Sequence, residues 1–348
     1  MFHKIKSIKA VWNYFQSIKD NIYFINESRI VVLNSLDGSK ELIFQGEFQS
    51  LFRFNDEIWA FDASQMNTIV VNGVNIIKLP FATVMSNDGL LEQHSFTTMI
   101  KKEDIFLFAK IDLKNKTVED RYILDFNKIG LWKILKNDTF LSRKDSLITC
   151  HPLSTGEEKW RIDIGDIGKY LRLGEMTQGS VHSMDAYENV LCVALGNDVI
   201  LGIDIETGKT IWQRQMTLMT GLPYTFSEGK LYCFSLEKIG GIISNEGVNY
   251  HVFDMQTGAE EVHVFPTPFD TPLGFTKPTI AGNLLLTTDV YARKIYLMDK
   301  QTAVVQETIT LEGEGSRIPI DNSPQLHGNR LYQLDGDRVL HIFEDEMV

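Results

Sequence analysis

Cysteine, proline, basic residues and long apolar runs are all in short supply in this sequence of 348 residues, and each shortage excludes something. The three cysteines, Cys150, Cys192 and Cys233, match no zinc or redox spacing, and an odd count suits a reducing compartment better than a disulfide framework. Thirty-four Lys and Arg against 46 Asp and Glu leave a net charge of −12, which repels phosphate backbones and anionic head groups. Nucleic acid is therefore not expected as a partner, and a protein with a basic surface is an allowed one. No run of about eighteen apolar residues occurs, so no membrane insertion is expected. Lys4, Lys6 and Lys9 break up the apolar residues of the N-terminus before an export signal forms, and a cytoplasmic location is the expectation. Gly-rich phosphate loops, Gly-x-Ser-x-Gly elbows and His-Glu-x-x-His helices are missing too, and none of the eight histidines pairs at metal-ligand spacing. No catalytic residue, cofactor or metal site is assigned.

What the sequence does contain is a repeat. An aliphatic strand ending in a polar residue, a tight turn and a second strand recur in Ile203-Asp204-Ile205-Glu206-Thr207-Gly208, Phe253-Asp254-Met255-Gln256-Thr257-Gly258 and Leu297-Met298-Asp299-Lys300-Gln301-Thr302. Pro152-Leu153-Ser154-Thr155-Gly156 keeps the Thr-Gly, Asn34-Ser35-Leu36-Asp37-Gly38 fits the same frame, and Asn72-Gly73 takes the place in the second unit. An Asp or Asn side chain accepts nearby amide hydrogens and Gly supplies the positive φ, so the motif is a strand connector with a mechanism. A second marker is a short polar turn before a strand, at Asp20-Asn21, Asn55-Asp56, Asn137-Asp138, Glu188-Asn189, Gly229-Lys230, Gly282-Asn283 and Gly328-Asn329. Lys102-Glu103-Asp104 is the candidate eighth copy, although residues 82 to 129 fit the frame poorly.

Strands at this spacing, with no useful helical periodicity between them, imply an all-β fold: a single closed β-propeller of four-stranded blades spanning 1–348. Eight blades are expected, or seven if residues 82 to 129 are not an independent blade. The last repeat stops at Glu344 without its fourth strand, so residues 1–14 are expected to close the ring, with Ile8-Lys9-Ala10-Val11-Trp12 as the closing strand and an N-terminal helix as the alternative.

The stretch Gly202-Ile203-Asp204-Ile205-Glu206-Thr207-Gly208-Lys209-Thr210-Ile211-Trp212 resembles the pyrroloquinoline-quinone-like (PQQ-like) repeat, Ala-x-Asp-x-x-Thr-Gly-x-x-x-Trp, with Gly202 in place of Ala. Cys150 through Trp160 keeps Thr155, Gly156 and Trp160, and Val252 through Val262 keeps Asp254, Thr257 and Gly258. The resemblance implies that Trp160 and Trp212, and by analogy Trp12, dock between neighbouring blades. It does not carry the functions of the family's branches here: exported quinoprotein dehydrogenases have a signal sequence and, in the alcohol-oxidising branch, adjacent cysteines. The outer-membrane assembly lipoprotein has a lipidated cysteine near its start, whereas the first cysteine here is Cys150.

In such a frame the long connections, at residues 80 to 93, 164 to 186, 236 to 247, 266 to 275 and 311 to 318, open on one face, and loops on a rigid scaffold are where binding concentrates. Two segments are the candidate partner-binding sites. One places Lys238, Ile239, Ile242 and Ile243 around Gly240-Gly241; its plain alternative is a long strand pair with a bulge at the glycines. The other contains Tyr170 and Arg172, residue types enriched at interface hot spots. Asp335-Gly336-Asp337 lacks the rest of a calcium loop and reads as a hairpin turn, while Cys192 and Cys233, at equivalent places in successive repeats, read as buried core thiols. The expectation is a non-enzymatic protein-binding propeller, for instance a cytoplasmic immunity protein that neutralises a toxin. The alternative is an enzyme, such as a lyase, hydrolase or quinone-dependent oxidoreductase, with its site at the central channel.

Overall fold

The computed structural model describes residues 1–9, 15–34, 39–62, 65–73, 75–84, 90–102, 105–123, 131–135, 138–167, 169–172, 175–177, 179–195, 199–216, 224–239, 242–264, 274–311, 317–319 and 321–345. Among them every regular element is a β-strand. Seven antiparallel sheets of four strands, an eighth whose first strand is split in two, and one two-stranded ribbon account for all of them. The sheets fall into two compact units, Val11–Ile162, and Asp163–Val348 together with Met1–Ala10.

The unit from Val11 to Ile162 holds the first four blades. The first runs Phe15–Ile18, Asn21–Asn26, Arg29–Asn34, Lys40–Gln45, and the second Phe48–Phe54, Glu57–Asp62, Asn67–Asn72, Asn75–Leu79. The third is the region that the sequence frame fitted poorly, and it is an independent blade. Its first strand is split into Ala82–Val84 and Leu90–Leu91, and Ser95–Lys102, Ile105–Asp112 and Thr117–Ile123 complete it. Lys102 pairs directly with Ile105, so the expected eighth polar turn at Lys102-Glu103-Asp104 instead joins the second strand to the third. That displacement of one strand hid a sixth copy of the Asp turn: Asp112 Oδ1 accepts the amides of Lys114 and Asn115 at 2.8 Å, Asn115 replaces the Thr, and Lys116 takes the positive φ of 60°. Of residues 80 to 93, expected as a long connection, Ala82–Val84 and Leu90–Leu91 form this split strand, and 85–89 lie outside the described residues. The fourth blade is Leu131–Leu135, Thr139–Lys144, Leu147–Pro152, Trp160–Asp163.

The other unit holds the fifth blade (Val181–Tyr187, Val190–Leu195, Val199–Asp204, Thr210–Gln215), the sixth (Thr225–Ser227, Lys230–Ile239, Ile242–Asp254, Glu260–Val264) and the seventh (Thr279–Ala281, Leu284–Asp289, Lys294–Asp299, Val305–Thr310). The eighth takes Gln325–His327, Arg330–Leu334 and Leu340–Asp345 from the end of the chain and its fourth strand, Phe2–Ile8, from the beginning. The closing strand is therefore made by residues preceding those expected: Phe2 pairs with Asp345 and Ile8 with Leu340, and Trp12 lies outside the described residues.

Burial explains the strand sequences. Second and third strands are the most deeply buried, and the fifth blade's read as continuous apolar runs; all six residues of Val190–Leu195 are buried. Fourth strands are exposed, and in Thr210–Gln215 Trp212 alone is buried. Apolar clusters form between successive sheets, such as Cys192, Ala194 and Ile200 with Leu231, Cys233 and Phe253. The Asp turns lock the strand ends: Asp204, Asp254 and Asp299 each accept both the amide and the hydroxyl of the following Thr at 2.7–3.0 Å.

Candidate interaction surface

The sixth blade departs from its neighbours at one end. Its second and third strands run to 10 and 13 residues, against 6 in each corresponding strand of the fifth and seventh. At the usual rise per residue the extra length carries the hairpin about 13 Å past the end of the neighbouring strands. Lys238 pairs with Ile243 and Ile239 with Ile242, so the four nominated residues form the two cross-strand pairs at its tip. The register breaks between Leu236 and Lys238, placing a bulge on the stem, while Gly240 and Gly241 lie outside the described residues. The long strand pair weighed in the sequence is thus present, and it projects. The side chains of Lys238, Ile239, Ile242 and Ile243 also lie outside the described set.

Tyr170 and Arg172 belong to a two-stranded ribbon on the connection leading into the fifth blade, where Tyr170 pairs with Thr177 and Arg172 with Glu175. Their side chains lie outside the described residues. Met176, across the ribbon from Leu171, is two-thirds exposed.

The root of the projecting hairpin is closely packed. Phe234 and Tyr250 are fully buried, with ring centroids 5.4 Å apart, and Phe234 stacks on Phe275 of the segment before the seventh blade at 4.9 Å. The Tyr250 hydroxyl donates to the Lys300 carbonyl at 2.6 Å, and burial pushes its pKa well above the usual tyrosine value.

Buried polar groups at the corresponding strand ends of the seventh and eighth blades hold the neighbouring connections. Thr288 Oγ1 donates to Gln333 Oε1 at 2.6 Å, and Gln333 Nε2 donates to the carbonyls of Asn322 and Leu334 at 2.8 and 2.9 Å. Asp289 Oδ1 accepts the amides of Tyr291 and Ala292, both at 2.9 Å, and burial raises the pKa of this carboxyl. Asp335 organises the hairpin turn read at Asp335-Gly336-Asp337: its Oδ1 accepts the amides of Asp337 and Val339, and its Oδ2 meets His341 Nε2 at 2.8 Å. His341 Nδ1 meets Ser7 Oγ at 3.3 Å on the N-terminal strand. This Asp-His-Ser chain went unseen in the sequence because Ser7 and His341 are 334 residues apart. Among the described residues, no group of three or more His, Cys, Asp or Glu side chains is arranged to hold a metal ion.

No protein-family model matches the chain, and no curated protein matches it. Solved structures do. The computationally designed Ika8 protein superposes with a TM-score of 0.61 at 12% identity, covering 98% of both chains. Sqt1 of Saccharomyces cerevisiae gives 0.59 at 10% identity over 99% of this chain and 97% of its own. BamB from Moraxella catarrhalis gives 0.54 at 12% identity over 99% of this chain and 100% of its own. The fold is that of an eight-bladed, four-stranded β-propeller. At these identities the likeness shows the fold alone. With it, the eight-blade expectation and the sharing of one sheet by the two chain ends stand, while membership of the PQQ-like repeat family has no match behind it.

Proposed function

We propose that this propeller is a non-catalytic protein-binding scaffold whose contact surface is built on the projecting hairpin of the sixth blade. The observation that carries the reading is the lengthening of Lys230–Ile239 and Ile242–Asp254 on a packed aromatic root, where the corresponding strands of the other blades have five to eight residues. Lys238, Ile239, Ile242 and Ile243 at the tip are the proposed anchors, with Tyr170 and Arg172 of the ribbon as a second contact. A net charge of −12 favours a partner with a basic surface, by speeding encounter and rejecting acidic competitors. The finer reading is a cytoplasmic immunity protein of PQQ-like repeat ancestry that covers a basic toxin domain; the charge and the residues of the Asp turns support it.

The test compares the intact protein with a variant in which residues 237–246 are replaced by a short Gly-containing turn. Both are checked by circular dichroism and used as bait in the native organism's lysate, and captured proteins are then titrated as purified components. A partner bound by the intact protein and lost in the variant supports the proposal. A partner bound equally by both removes the hairpin from it.

A further inference from the structure

Where the two chain ends meet, three side chains follow one another from core to surface. Asp335 and His341 are 3% and 4% exposed, whereas Ser7, across the ladder from His341 on Phe2–Ile8, is exposed. Asp335 Oδ2 lies 2.8 Å from His341 Nε2, and His341 Nδ1 lies 3.3 Å from Ser7 Oγ. A buried carboxyl thus touches a buried imidazole, which touches a hydroxyl open to solvent.

Chemistry assigns the protons of this chain. Burial pushes the Asp335 carboxyl up in pKa, but the hydrogen bond from His341 and those from the Val339 and Asp337 amides outweigh it, so the carboxyl is held below its ordinary value. Arg293 Nη2, 3.7 Å from Oδ2, is the cation that faces the pair from the seventh blade, and it favours the same ionised state. An ionised carboxylate only accepts hydrogen bonds, so His341 Nε2 carries the ring proton. Nδ1 of the neutral ring then holds a lone pair, and Ser7 Oγ–H donates to it. An acid that orients a base, and a base that polarises a hydroxyl, is the arrangement that activates a serine.

The fourth blade holds a serine–histidine pair without these features. Ser142 Oγ lies 3.0 Å from His151 Nε2, but His151 Nδ1 meets the carbonyl of Gly156 at 3.1 Å, and Ser142 is only 8% exposed. A neutral carbonyl stabilises a developing imidazolium less than an ionised carboxylate does, and a buried hydroxyl is closed to reagents.

We infer that Ser7 is an activated nucleophile, a site at which the protein takes up an acyl group from a small activated ester. As Ser7 Oγ attacks the ester carbonyl, its proton passes to His341 Nδ1, and Asp335 stabilises the imidazolium that forms. The ester C–O bond then breaks, the leaving oxygen takes that proton, and the products are acyl-Ser7 and an alcohol or phenol. Phe2–Ile8 is the outermost strand of its sheet, so the donor approaches an open edge, and the backbone N–H groups such an edge presents are the donors available to the developing oxyanion. The step consumes one acyl group per chain and uses no residue of the sixth-blade hairpin, so it stands or falls separately from the binding reading.

Two probes test it on the full chain: p-nitrophenyl acetate, quenched in acid, and a fluorophosphonate, whose serine adduct persists. Peptide mass spectrometry should find both groups on Ser7, attached at least about 100-fold faster than on the exposed Ser28 and Ser154. Ser7→Ala should remove this labelling, and His341→Gln, which leaves the hydroxyl but takes away the base, should slow it about 100-fold or more. Circular dichroism and thermal melting verify that the variants fold, and the comparison of Ser7 with Ser28 and Ser154 in the native protein needs no variant. The inference is overturned if neither probe modifies Ser7, if Ser7 reacts no faster than the other two serines, or if folded His341→Gln reacts at the native rate.

Discussion

The indole of Trp212 donates to the backbone carbonyl of Met255, 43 residues further along the chain, and in doing so fastens the edge of one blade to the turn of the next. The contact demands glycine twice. An added Cβ at Gly202 or Gly258 would lie 2.1 or 2.5 Å from the Trp212 ring, and Gly258 is held at a φ of 66° as well. The packing of one side chain thus restricts the residue type at two positions in different blades.

Trp212→Ala should lower the stability of the unit that contains it by about 3–5 kcal/mol, since a large buried ring is lost together with its hydrogen bond. Gly258→Ala should also destabilise, but by less in the Trp212→Ala background, because the clash with the ring is gone and only the backbone strain remains. Urea midpoints of the four proteins in a double-mutant cycle measure the coupling. Strict additivity would mean that the ring does not rest on Gly258.

Stability should fall in acid, and the Asp turns are one cause. The Thr302 amide, first among several donors, holds the Asp299 carboxyl below its ordinary pKa; burial works against this. At Asp254 burial also pushes upward, and the Thr257 donors and Lys230 outweigh it. A folded-state pKa below the unfolded value gives stability that is present above the unfolded value, about 3.9, and is lost as pH falls through the folded one. Asp299→Asn keeps an acceptor oxygen for the turn but removes the titration, so unfolding midpoints measured between pH 3 and pH 7 should vary less in this variant. An unchanged slope would show that the Asp299 turn is not a source of acid sensitivity.

Native protein should leave all three cysteines unlabelled by an aromatic disulfide reagent at pH 8, and urea should release three equivalents. Cys150, Cys192 and Cys233 are buried, and burial raises the pKa of the Cys192 and Cys233 thiols well above the ordinary value, suppressing the reactive thiolate. Rapid labelling of one thiol in the folded state would contradict the burial described.

At the joined chain ends, His341→Ala should cost about 2–3 kcal/mol, because it removes a hydrogen bond to a buried carboxylate, Asp335, which is 3% exposed. Ser7→Ala should cost about 1 kcal/mol or less. Removal of residues 2–8 exposes the edge of Leu340–Asp345 and should produce concentration-dependent association, visible in analytical ultracentrifugation. A variant lacking that strand that stays monomeric and equally stable would show that the pairing is dispensable.

The Asp turns at Asp204, Asp254 and Asp299 were legible because their chemistry is local: side chain, accepted amides and glycine or its substitute lie within five residues. The same locality failed at Asp112, where Asn115 and Lys116 replace the Thr and Gly and the backbone nevertheless adopts the same turn. Repeat spacing alone thus pointed to an all-β propeller of eight or seven units, and the missing fourth strand of the last repeat pointed to the N-terminus as its source, with a helix there as the alternative; the structure made residues 82–123 an independent third blade. Tertiary structure alone decided that Phe2–Ile8 is that strand, because the register depends on pairing with Leu340–Asp345 from the far end of the chain. It also decided the Ser7–His341–Asp335 link, since that depends on which side chains meet across strands from the two ends of the chain, and no pattern along the sequence records that.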